Sequence, residues 1–172
     1  MFRLFLLLST SVVLFLGCSN TSPSMHKQHK SIAKTHKMFQ TVAEDEATLI
    51  QKGQDKLHCA RCGMNLVMFY KTSHTAQADG KNYQYCSIHC LAEHLKSGAD
   101  IKNFKVVDVH SLKLIPVSQA YYVVGSDVRG TMSRVSKYAF KSLSDAKAFQ
   151  AKHGGKIVDF KTALEIAKKD FK

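Results

Sequence analysis

The sequence lacks the residue patterns that identify common enzyme sites. Neither paired carboxylates, nor Ser-His-Asp spacing, nor a glycine-rich phosphate loop stands out among its 172 residues, and these are the patterns from which an active site is recognised. We therefore predict that the protein is not an enzyme. Its content of 45% hydrophobic and 22% charged residues is typical of a globular protein and excludes an intrinsically disordered one.

Acidic residues are scarce, since 13 Asp and Glu stand against 25 Lys and Arg. A surplus of positive charge indicates a nucleic-acid partner when the basic residues form a patch. Here the lysines are spread along the chain, without a dense cluster and without interleaved aromatic residues. The pattern favours a solvated basic surface that attracts anionic lipid head groups or an acidic partner protein, and we predict no nucleic-acid partner.

The longest apolar run, residues 4–16, is too short to span a membrane comfortably. Its thirteen residues and the basic residue before it have the length and charge of a signal peptide. The run ends at Gly17-Cys18, which resembles a bacterial lipobox, with Phe15 where that pattern usually has Leu. We predict that residues 1–17 are removed, that Cys18 is lipidated, and that the mature chain is an exported, membrane-anchored lipoprotein facing the periplasm. An uncleaved anchor with an incidental cysteine is the alternative.

Residues 18–55 show little apolar periodicity and are predicted to form a flexible tether after the lipid anchor. Residues 19–24 are polar and rich in turn formers. The segment also contains several methionine and histidine side chains: Met25, His26, His29, His36 and Met38. Flexible segments of this composition can capture copper weakly. A polar spacer that happens to contain histidine explains the same residues, and both interpretations stay open.

The remaining pattern predicts an α+β fold of two small ββαβ-type repeats, at residues 56–112 and 113–172. The first repeat is predicted from strands at 65–70 and 106–109, a hairpin over 75–85 with an Asp79-Gly80 turn, and a helix over 87–95. The second is predicted from strands at 120–124, 135–140 and 156–160, a helix opened by Ser142, and a final helix at 162–171. Strand-strand-helix-strand therefore occurs twice, as in a duplicated unit.

Four cysteines beyond Cys18 form two pairs, Cys59 with Cys62 and Cys86 with Cys90. The first pair lies on a predicted turn. The second pair has i,i+4 spacing at the start of a predicted helix, which places both thiols on one helix face. The 23 residues between the pairs suffice for a hairpin that brings them together. This arrangement resembles treble-clef or TRASH-like metal sites, in which a knuckle and a helix start each supply sulfur.

Four thiolates suit two different metal ions. They bind Zn(II) in closed structural sites, and they bind Cu(I), which is a soft ion. An exported Cys-x-x-Cys can also form or exchange a disulfide, but the strand-to-helix context of a thioredoxin-type site is absent. The unit Cys62-Gly63-Met64 favours copper, because a thioether binds Cu(I) well and Zn(II) poorly. Met64 also has the simpler interpretation of a core residue before a strand.

A longer stretch of the sequence resembles a known family. Residues 121–132 read Tyr-Tyr-Val-Val-Gly-Ser-Asp-Val-Arg-Gly-Thr-Met and are similar to the signature of the NosL family, the nitrous oxide reductase accessory lipoproteins. The similarity continues through Ala139-Phe140, Asp145-Ala146, Ala148-Phe149 and Gly154-Gly155. Cys62-Gly63-Met64 resembles the other family marker, a Cys-x-Met followed by a strand.

This resemblance implies a metallochaperone that binds Cu(I) and delivers it for assembly of the copper sites of nitrous oxide reductase. It implies two partners, a periplasmic copper-site maturation protein and an associated ABC-type transporter. It also implies a fold of two ββαβ-type units related to organomercurial lyase, without the lyase chemistry. The alternative hypothesis is an exported thiol protein that is stabilised by Zn(II) or a disulfide and has a structural or redox role.

Carried over by position, the resemblance implies Cys62, Met64 and Met132 as ligands of Cu(I). Met132 belongs to the second repeat, so the site would lie between the repeats. A site with one thiolate and two thioethers leaves one side open for a ligand of the partner protein. Three thiols are additional to the family pattern and could be further ligands of copper, ligands of a separate Zn(II) site, or disulfide partners: Cys59, Cys86 and Cys90. His89 is a further candidate ligand.

Overall fold

The computed structural model describes residues 38–170, which form two antiparallel sheets and three α-helices. The strands are β1 His74–Ala78, β2 Lys81–Tyr85, β3 Lys102–Val107, β4 Leu114–Pro116, β5 Tyr121–Val124, β6 Lys137–Phe140 and β7 Lys156–Val158. The helices are α1 Ile88–Lys96, α2 Leu143–His153 and α3 Phe160–Asp170. The predicted α+β class is confirmed.

Both sheets have the same strand-strand-helix-strand connection. The first sheet has the order β2-β1-β3-β4 and the second the order β6-β5-β7. In each, two consecutive strands form a hairpin, a helix follows, and the next strand returns to the free side of the first strand. The predicted ββαβ repeat is therefore confirmed. Strand β4 extends the first sheet, and α3 follows the second.

Local chemistry explains where several elements begin and end. Asp79 and Gly80 both have positive φ, of 49° and 70°, which is the conformation of the two-residue turn that joins β1 to β2. Helix α2 begins after Ser142, whose hydroxyl accepts hydrogen bonds from the backbone N–H groups of Ser144 and Asp145. It ends at His153, and the next residue, Gly154, has a φ of 70°.

The strand predicted over residues 65–70 is wrong. These residues form turns that lead into a short 3-10 helix, Tyr70–Thr72. The side chain of Asn65 accepts hydrogen bonds from the backbone N–H groups of Val67 and Met68, at 2.9 and 3.0 Å. An asparagine side chain that binds nearby backbone donors stabilises a turn in place of a strand.

Residues 38–42, which the sequence assigns to the tether, pack against both sheet regions. Gln40 and Val42 are buried, and the ring of Phe39 lies 5.2 Å from that of Tyr138. The Gln40 side-chain amide donates to the carbonyl oxygen of Arg129 at 2.5 Å. The predicted lipidation site, Cys18, and the methionine and histidine side chains before residue 38 lie outside the described residues.

The two sheets share one buried core. Ile88 of α1, Val106 of β3, Tyr122 of β5 and Ala163 of α3 belong to the same apolar cluster. Burial of these side chains packs α1 against α3 and the first sheet. Cys86 precedes α1 and Cys90 lies in its first turn. The packing of this helix therefore also fixes the positions of these two thiols. Within residues 38–170, no helix combines the length and apolarity needed to span a membrane.

Candidate metal centre

The first cysteine pair lies on a tight backbone knuckle. The N–H of Cys59 donates to the carbonyl of Met64 at 2.8 Å, and the N–H of Gly63 donates to the carbonyl of Cys59 at 3.0 Å. Gly63 has a φ of 73°, which glycine adopts without a steric cost. The N–H of Ala60 donates to the carbonyl of the buried Gln84 at 2.9 Å. The knuckle is thereby attached to β2.

The second cysteine pair lies at the start of α1. Cys86 follows the last residue of β2, and Cys90 lies in the first turns of the helix. Both side chains are buried, and so is Cys59, whereas Cys62 is exposed. The predicted hairpin, β1 and β2, does bring the two pairs together. We call the four side chains Cys59, Cys62, Cys86 and Cys90 the sulfur cluster.

The dimensions of the sulfur cluster suit one metal ion. Its four Sγ atoms lie within 4.8 Å of one another. Cys62 lies 3.5 Å from Cys86, and Cys86 lies 3.8 Å from Cys90. Four sulfurs that bind a single ion at about 2.3 Å in a tetrahedron lie roughly 3.8 Å apart. The four cysteines form no disulfide in this structure. The residues present therefore fit a four-thiolate centre.

The thiols of the sulfur cluster influence one another's protonation. The thiols of Cys86 and Cys90 lower the pKa of Cys59 well below its ordinary value, because they donate to its thiolate. The same contact with Cys59 raises the pKa of Cys86 and that of Cys90 above their ordinary value. Buried thiols in this arrangement share protons. A cation that displaces these protons would convert the neighbouring thiols into thiolates, the form that binds metals.

The two methionines predicted as ligands occupy different surroundings. Met64 is half-buried and packs against the apolar cluster that contains Cys59, Cys86 and Cys90. Met132 lies on the connection between β5 and β6, with 37% of its surface exposed. Met64 therefore lies against the same core as three of the cysteines, and its role as a ligand stays a prediction. The residue before Met132, Thr131, has its hydroxyl 2.8 Å from that of Thr72.

His89 lies between Cys86 and Cys90 in sequence but does not belong to the group formed by the four thiols. Its Nε2 atom faces a buried ion pair, 3.4 Å from the Lys137 Nζ and 4.0 Å from the Asp170 Oδ2. Burial, and secondly the charge of Lys137, lower the pKa of His89 to about 4, so its imidazole is neutral at pH 7.

Sequence reasoning missed three polar residues that contact residues 86–89: Thr72, Lys137 and Asp170. Thr72 donates from its hydroxyl to the carbonyl of Cys86 at 2.7 Å. Lys137 forms an ion pair with Asp170. A lysine at the start of the apolar strand β6 is the one signal that the sequence offers, because a buried lysine requires a partner. Nothing local distinguishes Thr72 or Asp170.

Two findings relate the chain to known proteins. The model of the NosL family matches residues 50–166, which include the sulfur cluster, Met64 and Met132. The crystal structure of the copper chaperone NosL from Shewanella denitrificans is similar over 67% of this chain and 92% of that chain, with 24% sequence identity and a TM-score of 0.51. The structural likeness supports the fold. No curated protein matches the chain in sequence.

Proposed function

The chain belongs to the NosL family, and from this premise we propose that it is a metallochaperone that binds Cu(I) and delivers it for assembly of the copper sites of nitrous oxide reductase. Copper is then the cargo of the protein and not a resident cofactor. The protein binds and transfers the ion and catalyses no reaction. The similar crystal structure is that of a copper chaperone, which agrees with this proposal.

The observation that carries the proposal is the sulfur cluster itself. Four thiols from two distant parts of the chain converge within 4.8 Å, and Met64 packs against the apolar cluster that contains three of these cysteines. Cu(I) prefers thiolate and thioether ligands, and the presence of a thioether next to thiolates favours it over harder ions. We propose Cys62, Met64 and Met132 as Cu(I) ligands, with Cys59, Cys86 and Cys90 as further ligands.

The exposure of Cys62 supports a role in transfer. Cys62 is an exposed residue on the knuckle, while Cys59, Cys86 and Cys90 are buried. A thiolate or thioether of a partner protein can therefore approach a bound ion from the side of Cys62. Stepwise exchange of ligands would pass the copper between proteins without releasing it to solvent. A fully enclosed centre would not permit that approach.

We further propose that the protein works at the periplasmic side of a membrane, attached through a lipid on Cys18. Its partners would be a periplasmic copper-site maturation protein and the ABC-type transporter associated with it, and nitrous oxide reductase would receive copper indirectly. The net charge of +12 supports association with anionic head groups or with an acidic partner.

A Zn(II) protein is the second candidate function. Four thiolates at these distances also fit the closed tetrahedral centre of structural zinc sites. In that case the sulfur cluster would stabilise the fold, and the methionines would have no role in binding. An exported protein whose cysteines alternate between thiols and a disulfide is a variant of this second candidate.

The test is the metal content and affinity of the wild-type protein, purified anaerobically under reducing conditions. We expect one tightly bound Cu(I) per chain, retained in competition with a Cu(I) chelator and not displaced by a stoichiometric amount of Zn(II). A host that reduces nitrous oxide should accumulate this gas when the protein is deleted, most strongly when copper is scarce. Tight binding of Zn(II) with weak binding of Cu(I) would exclude the copper proposal.

A further inference from the structure

Residues 125–136, which we call the Met132 loop, connect β5 to β6 and are anchored immediately before Met132. Thr131 is buried, and its hydroxyl lies 2.8 Å from the hydroxyl of Thr72. Thr72 is also buried and donates to the carbonyl oxygen of Cys86 at 2.7 Å. One pair of threonine hydroxyls therefore connects the residue before Met132 to the backbone of a cysteine in the sulfur cluster.

The Met132 loop is also anchored immediately after Met132. The hydroxyl of Ser133 donates to Oδ2 of Asp170 at 3.1 Å and accepts from the N–H of Val135 at 2.9 Å. Asp170, near the end of α3, forms an ion pair with Lys137. The Lys137 ammonium also donates to the carbonyl of Val135 at 2.8 Å. Helix α3 thereby fixes the second side of the loop.

These anchors are not explained by stability alone. The side chain of Lys137 is 2% exposed and that of Asp170 is 14% exposed. Removing two charges from water costs free energy that the ion pair only partly offsets, so apolar residues of similar volume would stabilise the fold at least as well. Buried polar contacts of this kind fix geometry, because each donor and acceptor must keep its partner.

We infer that Thr72, Thr131, Ser133, Lys137 and Asp170 are positioning residues that place the Met132 thioether at the metal centre. The inference rests on the proposed function, since it takes Met132 as a Cu(I) ligand. Without the anchors the exposed Met132 side chain would sample many orientations, and ordering the loop would cost conformational entropy when the metal binds. With them, α1, α3 and the Met132 loop keep fixed relative positions before the metal binds.

A double-mutant cycle on the full chain tests this inference. Thr131→Val removes one hydroxyl and keeps the side-chain shape, and Met132→Leu removes the thioether. We expect Thr131→Val to weaken the affinity for Cu(I) by about tenfold, as is usual when a residue that orients a metal ligand is changed. In the Met132→Leu background the same substitution should cause no additional loss. Ser133→Ala should behave in the same way on the other side of Met132.

Ser142→Ala is the matched control, because it removes the cap of α2 and destabilises the fold away from the metal centre. It should lower the unfolding temperature without changing the affinity for Cu(I). Equal losses from Thr131→Val with and without Met132 would overturn the inference, since the effect would not act through Met132. So would an unchanged affinity in both Thr131→Val and Ser133→Ala. If Met132→Leu alone changes nothing while Cys62→Ser abolishes binding, Met132 is not a ligand and the inference fails, although copper binding by the cysteines stands.

Discussion

The Sγ atoms of Cys62 and Cys86 lie 3.5 Å apart, although the two side chains differ completely in their access to solvent. Cys62 is exposed on the knuckle, whereas Cys86 is fully buried in front of α1. An ion bound to both sulfurs would be accessible from one side and enclosed on the other. Such one-sided access would suit the transfer of an ion to a partner protein, and it permits variants that separate binding from folding.

Deletion of residues 25–36 should leave the free energy of unfolding and the equilibrium affinity for Cu(I) unchanged, while slowing copper uptake. These residues contain methionine and histidine and precede Phe39, Gln40 and Val42, which pack against the rest of the fold. Extending the deletion to residue 42 should lower the free energy of unfolding by about 2 kcal/mol or more, because it removes the buried side chain of Val42 together with the Gln40–Arg129 hydrogen bond.

Denaturant titration and a stopped-flow measurement of Cu(I) uptake, both anaerobic, would check these two deletions. A collapse of equilibrium affinity in the shorter deletion would show that the main copper site includes the segment before residue 38. An unchanged free energy of unfolding in the longer deletion would show that residues 38–42 contribute nothing to the fold.

The elements that the sequence predicts well are those set by local chemistry. The Asp79-Gly80 turn and the Ser142 cap each specify a conformation within four residues, and both lie where predicted. The sequence predicts only the apolar end of strand β3. The rest of the strand is missed because Lys102, Asn103 and Lys105 are polar residues on a partly solvated sheet. Strand β4 has three residues including Pro116, and it pairs only with β3, so its existence depends on a distant partner.

Gly155→Ala should destabilise the protein more than Gly154→Ala. Both glycines have positive φ, of 70° and 93°, so each substitution pays roughly 1–3 kcal/mol for the backbone conformation. A Cβ on Gly154 would meet no atom within 4 Å, but one on Gly155 would lie 2.8 Å from the carbonyl oxygen of Val124. That clash adds about 1–3 kcal/mol. Thermal unfolding of both variants checks the order, which equal losses would contradict.

The stability of the protein should fall as the pH is lowered from 6.5 to 4, and His74 should account for part of the loss. Burial lowers the pKa of His74 to about 4, from an ordinary value of 6.5. Its ring nitrogens lie 3.0 Å from the Thr72 carbonyl and 3.1 Å from the Tyr122 hydroxyl. As the pH falls, His74 binds its proton at a higher pH in the unfolded chain than in the folded one. The contribution of this residue to the free energy of unfolding is therefore complete above pH 6.5, and about 3 kcal/mol of it is lost by pH 4.

His74→Gln is the comparison, since glutamine does not titrate and can still form hydrogen bonds. The free energy of unfolding of this variant, measured by urea titration between pH 4 and 7.5, should depend less steeply on pH than that of the wild type. Identical slopes would mean that His74 binds its proton over the same pH range in the folded and the unfolded chain, which would contradict the prediction.

Cys18→Ala should release the protein from the membrane or misplace it. The thiol of Cys18 is the acceptor of the lipid in the predicted lipoprotein pathway, and the side chain of alanine has no atom to which the lipid can attach. Membrane fractionation and labelling with a radioactive fatty acid would check this. Absence of the lipid label in the wild-type protein, with the same fractionation in both proteins, would contradict the prediction.

The cysteines of the metal centre could be predicted from spacing, because Cys-x-x-Cys and an i,i+4 pair each place two thiols together locally. The sequence also predicts the hairpin between the two pairs, and this hairpin indicates that the pairs come together. The polar residues around the centre could not be predicted. Thr72 contacts Cys86, 14 positions away, and Asp170 contacts Lys137, 33 positions away. Such contacts depend on how α1, α3 and the two sheets pack.

Substitutions of the predicted ligands should separate a copper-transfer site from a closed zinc site. Cys62→Ser should abolish tight binding of Cu(I) and leave the fold nearly unchanged, because it removes a charged ligand whose side chain is exposed. Met64→Leu and Met132→Leu nearly conserve side-chain volume and should each weaken the affinity by about tenfold, or about 1.4 kcal/mol, without unfolding the protein. A closed four-cysteine Zn(II) site predicts a different order.

In that case Cys59, Cys86 and Cys90 would matter as much as Cys62, both methionine variants would bind like the wild type, and the loss of any one thiolate would unfold the domain. The measurement is an anaerobic competition titration with a Cu(I) chelator on each variant, beside thermal unfolding with and without metal. Unchanged copper affinity in Met132→Leu would restrict the site to the first repeat. Unchanged affinity in Met64→Leu as well would leave the four cysteines as the whole ligand set, and Zn(II) would then be the better candidate for the ion.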